Sequence, residues 1–313
     1  MTRRAVALVL LGALATGCVT SEAMIRGSGP TAATPTATPS PSPSPSPTVT
    51  PTPEPGEAPP DPDAEIPARG VALARALDEA YRARVGAVDR WLADGDPSAW
   101  PPPRDAVLWT LYEQRIYRYL AAHEKLAGRV LGRLAPEIRR EPAANVHAGR
   151  ALFEHFTPVE EVPDFRIRKP EPADVLLGHF LEAEDRFGVE WEVLAAIMLV
   201  ETRMGRIRSR SSAGARGPMQ FLPATWEAYG LGGDVRDPRD AVLGAANYLA
   251  ASGAPSDYRA ALHAYNPVDA YVTAVWRYAR TMMRSPESYY AYYDWQVFVR
   301  TVDGDVRLSG PGL

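Results

Sequence analysis

A single carboxylate closes the most apolar stretch of the chain. Eight apolar residues, 193–200, lead directly into Glu201, and the run from Trp191 to Met204 is predicted to be a helix that is apolar on all sides and therefore buried. Burial and the negative end of a helix dipole both raise the pKa of a carboxylic acid. Cleavage of a glycosidic bond needs an acid that is still protonated near neutral pH, because the leaving oxygen must receive a proton. Glu201 is therefore our candidate general acid.

A loop of small residues follows, from Ser211 to Gln220. Its glycines let the backbone approach a ligand closely, and Met219 offers a flexible apolar contact. Gln220 both donates and accepts hydrogen bonds, which suits the acetamido and hydroxyl groups of a sugar. The loop lacks the lysine and the spacing of a phosphate-binding loop, which argues against nucleotide binding. Further on, Tyr265 and Asn266 place a hydroxyl and an amide on adjacent residues.

Taken in this order, the three pieces resemble the soluble-type lytic transglycosylases, relatives of goose-type lysozyme. The family pattern is Glu followed by Ser or Thr, then a Ser-x-x-Gly-x-x-Gly-Leu-Met-Gln loop, then Ala-Tyr-Asn. The corresponding residues here are Glu201-Thr202, Ser211 through Gln220, and Ala264-Tyr265-Asn266. The Gly-Pro-Met-Gln-Phe-Leu-Pro-Ala-Thr-Trp form resembles that of actinobacterial members. The resemblance covers about Ala173 to Arg284, and the chain departs from the pattern at Pro218, where the family has Leu.

The resemblance implies a mainly α, lysozyme-like (goose-type) catalytic domain that cleaves the β-1,4 bond between N-acetylmuramic acid and N-acetylglucosamine in peptidoglycan. Glu201 would protonate the glycosidic oxygen and then accept the proton of the muramoyl C6 hydroxyl, which attacks its own anomeric carbon and gives a 1,6-anhydro sugar. By the same resemblance, Tyr265 orients Glu201 or stabilises charge, and the other residues expected to bind substrate are Ser211, Met219, Gln220 and Asn266. No cofactor and no metal is expected.

Two other functions stay open. A muramidase-type hydrolase would use the same fold and release reducing ends, and a non-catalytic lipoprotein would use these residues only to bind glycan. Hydrolases normally need two carboxylates, and aspartates lie near the loop. Asp237 and Asp240 flank Pro238 at the start of an apolar run, a pattern typical of a helix N-terminus. We interpret them as capping residues and leave Asp234 unassigned.

Four arginines follow Glu201 closely: Arg203, Arg206, Arg208 and Arg210. They would lower the pKa of a nearby carboxylate, so a glutamate that only forms an ion pair is the alternative to a catalyst. We interpret this cluster as a solvated loop. Contact with the carboxylates of peptide stems, or with an anionic wall polymer, is the alternative.

Helical segments must position these residues. Apolar residues recur at helical spacing through residues 67–160, which predicts an accessory α-helical domain without a catalytic constellation. The catalytic domain is expected at 161–288, where Ala173 to Phe187 forms an amphipathic helix that ends at Gly188.

An aromatic C-terminal extension is expected at 289–313. Its spacing around Asp303-Gly304 predicts a short β-hairpin from Trp295 to Leu308. We interpret its tyrosines as core residues, with a platform for sugar rings as the alternative.

The first residues predict an export signal. Arg3 and Arg4 precede an apolar run that is too short for a confident membrane span, and small residues precede Cys18. This resembles a bacterial lipobox, apart from Ala15 in the place of the usual Leu, so residues 1–17 are predicted to be a lipoprotein signal peptide and Cys18 the lipidated residue. An ordinary cleaved signal is the alternative.

Residues 18–66 are rich in Pro, Ser and Thr and predict an extended spacer between that anchor and the folded body. We therefore expect an extracytoplasmic lipoprotein of the cell membrane that faces the cell wall and binds peptidoglycan strands. The net charge of −4 argues against a nucleic-acid partner. The single cysteine excludes an intrachain disulfide, and the sequence indicates no particular protein partner.

Overall fold

A computed structural model describes residues 58–308. Within this range the chain forms eleven helices and one two-stranded sheet, so the prediction of a mainly α fold with a C-terminal hairpin is confirmed. The predicted signal peptide, Cys18 and most of the predicted spacer lie outside the described residues. Among the helices of this range, none combines the length and the apolar composition needed to cross a membrane.

The helices and strands follow one another with short connections. Their bounds are α1 Gly70–Asp94, α2 Arg104–Ala122, α3 Glu124–Leu131, α4 Pro136–His155, α5 Ala173–Phe187, α6 Trp191–Thr202, α7 Pro223–Tyr229, α8 Pro238–Ala251, α9 Tyr258–Tyr265, α10 Asp269–Met282, α11 Ser288–Asp294, β1 Val297–Thr301 and β2 Gly304–Leu308.

The helix that carries Glu201 lies at the centre of the packing. The apolar helix α6 packs against α10 and α5, while α10 also packs against α4 and α5 against α8. One apolar core includes Leu120 of α2, Val146 of α4, Ile197 of α6 and Val275 of α10. The N-terminal helices therefore bury side chains together with the helices of the expected catalytic segment. The division at residues 67–160 and 161–288 stays a prediction.

The segment between α4 and α5 pairs with two other parts of the chain. The Val159 amide donates to the Arg300 carbonyl at 3.0 Å, and the Val302 amide donates to the Val159 carbonyl at 2.9 Å. Near its other end, two backbone hydrogen bonds of 2.9 Å join it to the stretch that follows Glu201. The Arg168 amide donates to that stretch, and the Arg208 amide of that stretch donates back to the segment. This proline-rich segment fixes both the hairpin and the chain just after α6.

The C-terminal extension contributes to the core, as predicted. The hairpin runs from the pair Val297 and Leu308 to the pair Thr301 and Gly304. The tyrosines of α11 are largely buried and use their hydroxyls internally: Tyr289 donates to the Ala173 carbonyl at 2.8 Å, and Tyr292 donates to Asn145 Oδ1 at 2.6 Å. These tyrosines therefore connect α11 to α5 through Ala173 and to α4 through Asn145.

A buried ion-pair network ties α1, α2 and α4 together. Arg84 exposes only 3% of its surface and contacts Glu113 at 3.1 Å and Glu141 at 2.7 Å. Tyr117 donates its hydroxyl to Glu113 at 2.6 Å. One guanidinium thus pairs with two buried carboxyl groups, and burial raises the pKa of Glu141.

Replacing Arg84 by Met should destabilise the protein strongly. Removing one partner of a buried pair leaves uncompensated charge and typically costs about 3–5 kcal/mol. Arg82 lies on the same helix and pairs with Asp78 at 2.9 Å with both side chains about one-third exposed, so Arg82→Met should cost about 1 kcal/mol or less. Urea unfolding followed by circular dichroism measures both, and equal losses in the two variants would contradict the role given to Arg84.

Candidate active site

Glu201 lies in the last turn of α6 and exposes 3% of its surface. Burial raises the pKa of its carboxyl well above the usual value, because the charged form loses its hydration. The hydroxyl of Tyr271 lies close enough to lower that pKa, but this is the smaller effect. The predicted burial of Glu201 is therefore confirmed, and this burial favours the neutral form of its carboxyl.

The contact between Glu201 and Tyr271 is an approach, without the geometry of a full hydrogen bond. Within residues 58–308, neither Oε2 of Glu201 nor the hydroxyl of Tyr271 has a hydrogen-bond partner of good geometry, and both atoms are buried. Catalytic hydrogen bonds are often long in a protein without substrate. The loose contact thus leaves the carboxyl oxygen available to a reacting group.

Sequence reasoning missed Tyr271. It lies in the first turn of α10, is completely buried, and shares a helix face with Val275 and Tyr278. The sequence feature that could have identified Tyr271 is a hydroxyl-bearing residue at the start of this buried stripe, six residues after Tyr265. Nothing in the local sequence shows that α10 passes beside the end of α6, which is a tertiary contact.

Tyr265, which is predicted to orient Glu201 or to stabilise charge, forms its hydrogen bond with the loop. Its hydroxyl donates to the Met219 carbonyl at 2.7 Å, so it anchors the small-residue loop. Burial raises the pKa of Tyr265 well above its usual value, and the charge of Glu201 adds to that rise. Tyr265 is therefore in the electrostatic field of Glu201, and its catalytic role stays a prediction.

The end of α6 is a tight left-handed turn. The helix stops at Thr202, two residues before the predicted end, because Arg203 and Met204 adopt φ values of 52° and 56°. Their amides close the helix by bonding back to the carbonyls of Leu199 and Met198, as in a Schellman-type cap. Two consecutive non-glycine residues with positive φ are uncommon, and this strained turn directly follows Glu201.

Thr202 connects that turn to the loop. Its hydroxyl donates to the Pro218 carbonyl at 2.6 Å and accepts from the Gly205 amide at 3.0 Å. Pro218, which departs from the family pattern, thus supplies a backbone acceptor next to Met219. The hydroxyl residue after the glutamate fixes the distance between the acid and the loop.

The loop itself is built around glycine. Gly217 has a φ of 76°, and a Cβ there would lie 1.7 Å from the Val235 carbonyl oxygen, so only glycine fits. Ser211 turns its hydroxyl back into the loop and accepts from the Ala215 amide at 2.9 Å. The structure therefore gives Ser211 a contact that shapes the loop, and the expectation that it binds substrate stays a prediction.

Two buried amides lie in the motif segments. Gln220 donates Nε2 to the Gly217 carbonyl at 2.9 Å, while its Oε1 has no hydrogen-bond partner within the described chain. Asn266 exposes 2% of its surface, and its Oδ1 is likewise without a partner in this part of the molecule. Both residues therefore carry an acceptor without an internal donor, and the prediction that they bind substrate stays a prediction.

The aspartates near the loop are used as backbone acceptors. Asp237 accepts from the Asp240 amide at 3.0 Å, which confirms the predicted helix cap. Asp240 accepts from the Asp234 amide at 2.9 Å, and Asp234 accepts from the Arg236 amide at 2.9 Å. In residues 58–308, no group of three or more His, Cys, Asp or Glu residues is arranged to hold a metal ion.

The interpretation of the arginines after Glu201 as a solvated loop is wrong for most of them. Arg206 exposes 1% of its surface, donates to the Tyr293 carbonyl at 2.6 Å and lies over the Tyr293 ring. Arg203 and Arg208 are partly buried, and only Arg210 is exposed. The aromatic extension covers this stretch, and sequence periodicity does not reveal that contact.

Comparison with known proteins finds a family similarity in the central part of the chain. Residues 178–285 match the family described as "Transglycosylase SLT domain". This segment is therefore similar to lytic transglycosylases. The match contains Glu201, the loop and the Tyr265-Asn266 pair, so the transglycosylase domain includes every predicted site residue within the described range.

A curated relative agrees with this assignment. The chain is 34% identical over 106 residues to "Membrane-bound lytic murein transglycosylase F" of Thiobacillus denitrificans (strain ATCC 25259 / T1). The aligned part is 32% of this chain and only 22% of that relative. No solved structure matches the chain. The transglycosylase domain is lysozyme-like, as predicted.

Replacing Glu201 by Gln should stabilise the protein more as the pH rises. In the native state the carboxyl keeps its proton, whereas in the unfolded chain it releases it near pH 4.3. Wild-type stability therefore falls above that pH, by up to about 1.4 kcal/mol per pH unit, until the native carboxyl also ionises. Urea unfolding at pH 5 and pH 7 measures this widening difference. The exposed Glu227, changed to Gln, is the control, and a constant difference between Glu201→Gln and wild type would show that Glu201 is not buried as a neutral acid.

Proposed function

We propose that this protein is a peptidoglycan lytic transglycosylase that cleaves the β-1,4 bond between N-acetylmuramic acid and N-acetylglucosamine and forms 1,6-anhydro-N-acetylmuramic acid. The transglycosylase domain at residues 178–285 supports the reaction class. The name of the relative from T. denitrificans supports murein as the substrate.

The observation that carries the proposal is a lone buried carboxylic acid. Among the described residues 58–308, Glu201 is the only carboxylate that lines the cavity next to it, and the three aspartates near the loop accept hydrogen bonds from backbone amides between residues 234 and 240. Hydrolysis by two carboxylates would need a second acid or base close by. A reaction that uses one group first as acid and then as base needs only Glu201.

In the proposed reaction, Glu201 alone gives the proton and takes one back. Its carboxyl gives a proton to the glycosidic oxygen, and the bond from that oxygen to the muramoyl anomeric carbon breaks. The carboxylate then accepts the proton of the muramoyl C6 hydroxyl, whose oxygen bonds to the anomeric carbon. Glu201 ends protonated again, and no water is consumed. The hydroxyl of Tyr271 stabilises the transient carboxylate, since a donor near a charged form favours it, while Tyr265 holds the loop through its bond to the Met219 carbonyl.

The remaining assignments belong to the same proposal. Met219, Gln220 and Asn266 contact the glycan, Ser211 shapes the loop, and residues 67–160 act as an accessory domain. The relative's name describes a membrane-bound enzyme, which agrees with an extracytoplasmic location. Lipidation at Cys18 would provide the attachment, and the Pro-rich residues 18–66 would span the distance to the wall.

Digestion of purified peptidoglycan with wild type and Glu201→Gln tests the proposal. Mass spectrometry should find wild-type fragments that end in anhydro sugars, each lighter by one water than a reducing-end fragment. The amide cannot give or take the proton, so Glu201→Gln should release fragments about 10²–10⁴-fold more slowly.

Glu192→Gln is the matched control, because Glu192 lies in the first turn of the same helix, and it should keep wild-type activity. Reducing ends in place of anhydro ends would identify a muramidase. Intact peptidoglycan after wild-type treatment, with glycan binding retained, would identify a non-catalytic wall-binding protein.

A further inference from the structure

Glu201 lies in the wall of a cavity that the predicted substrate-binding residues do not line. Most of its lining comes from outside residues 178–285, with Asn145 and Phe153 on α4 and Phe298 on β1. Its internal volume is about 80 Å³. On the same scale, one water molecule needs about 10–15 Å³. The cavity therefore suits a small chemical group and is too small for a complete saccharide ring.

Three guanidinium groups line this cavity: Arg118, Arg203 and Arg300. Arg118 pairs with Asp305 at 2.6 Å, while Arg203 and Arg300 form no ion pair with any acid of residues 58–308 and donate to backbone carbonyls. The Asp305 carboxylate compensates one of these three positive charges. The other two stay uncompensated when Glu201 is protonated. The pKa of Arg203 is lowered to about 10, mainly by burial and to a smaller extent by the charge of Arg118.

Aromatic rings hold two of these groups in place. Arg300 lies 4.7 Å and Arg118 lies 5.0 Å from the centre of the Phe153 ring, and Arg118 is also 4.8 Å from the centre of the Phe298 ring. The Arg300 side chain donates from Nη1 to the Phe153 carbonyl at 2.7 Å and forms no other side-chain hydrogen bond within the described residues. A fixed guanidinium with unused donors matches the planar, bidentate geometry of a carboxylate.

We propose that this cavity binds a carboxylate carried on the muramoyl side chain of the substrate. The inference rests on the proposed function, in which the muramoyl C1 reacts at Glu201. The muramoyl unit bears a lactyl group, which carries either a peptide stem or, when the stem is absent, a free carboxylate. The neighbouring N-acetylglucosamine bears neither, so such a contact places the muramoyl unit at the acid.

The bound carboxylate would also affect the ionisation of Glu201. A second negative charge near Glu201 disfavours ionisation of its carboxyl. Substrate binding would thus keep the proton on Glu201 until the glycosidic oxygen takes it, and a substrate without the anionic group would lose that effect as well as the binding contact.

Arg300→Gln is the direct test, with the full chain and two substrates. One substrate is glycan strands with intact stem peptides, and the other is strands from which an amidase has removed the stems, leaving free lactyl carboxylates. We expect Arg300→Gln to lower kcat/KM about tenfold on at least one of them, the size expected for one lost hydrogen bond to a charged group. A loss confined to the first substrate identifies the stem carboxylate, a loss confined to the second identifies the free lactyl carboxylate, and a loss on both shows that the cavity accepts either.

The matched control is Arg307→Gln. Arg307 is on the partner strand of the same hairpin, pairs with Asp63 at 3.1 Å and does not line the cavity, so its loss should change kcat/KM less than twofold. Arg300→Lys keeps the charge and should recover part of the lost activity. Equal activity of Arg300→Gln and Arg307→Gln on both substrates would overturn the proposal.

A binding measurement separates this inference from the proposed function. N-acetylmuramic acid, which has a free lactyl carboxylate, should raise the Tm of Glu201→Gln, whereas N-acetylglucosamine should not. The additional change Arg300→Gln should abolish that rise. Equal effects of the two sugars would overturn the inference even if the digest shows anhydro ends, and a selective effect supports it even if Glu201→Gln still degrades the wall.

Discussion

The loss of water from one carboxyl group is the constraint on which the rest of the structure depends. Helix α6 is buried from Val193 to its last residue, and Glu201 is the ionisable residue in its last turn. Keeping that group neutral costs nothing at low pH and destabilises the native state as the pH rises. The surrounding helices supply the apolar packing that offsets this cost, with α10 on one side and α5 on another.

Three features then place the buried acid against its loop. The left-handed turn at Arg203 and Met204 stops the helix directly after Glu201. The Thr202 hydroxyl bonds to the loop at Pro218, and the Tyr265 hydroxyl bonds to it one residue later at Met219. These bonds join α6 and α9 through backbone carbonyls of the loop. Substitutions that remove the hydroxyl of Thr202 or Tyr265 would remove the hydrogen bonds that position the acid and the loop.

Local sequence signals predicted the local structure well. The periodicity from Ala173 to Phe187 gave the bounds of α5, the Asp237-Pro238 pair predicted the cap of α8, and the Asp303-Gly304 pair predicted the hairpin. What the sequence did not reveal depends on contacts between distant segments. Tyr271 meets Glu201 only because α10 crosses α6, and the arginines of the cavity come from positions about a hundred residues apart, which no repeat or spacing relates.

The most direct test of the account is a carbon-13 NMR titration of the Glu201 carboxyl in the full chain, with the signal assigned by its loss in Glu201→Gln. The carboxyl should remain protonated well above the ordinary glutamate pKa of about 4.3. Tyr271→Phe should raise its pKa further, because the hydroxyl that lowers it is gone. A carboxyl that titrates near the ordinary value in wild type, and is unchanged in Tyr271→Phe, would contradict the account.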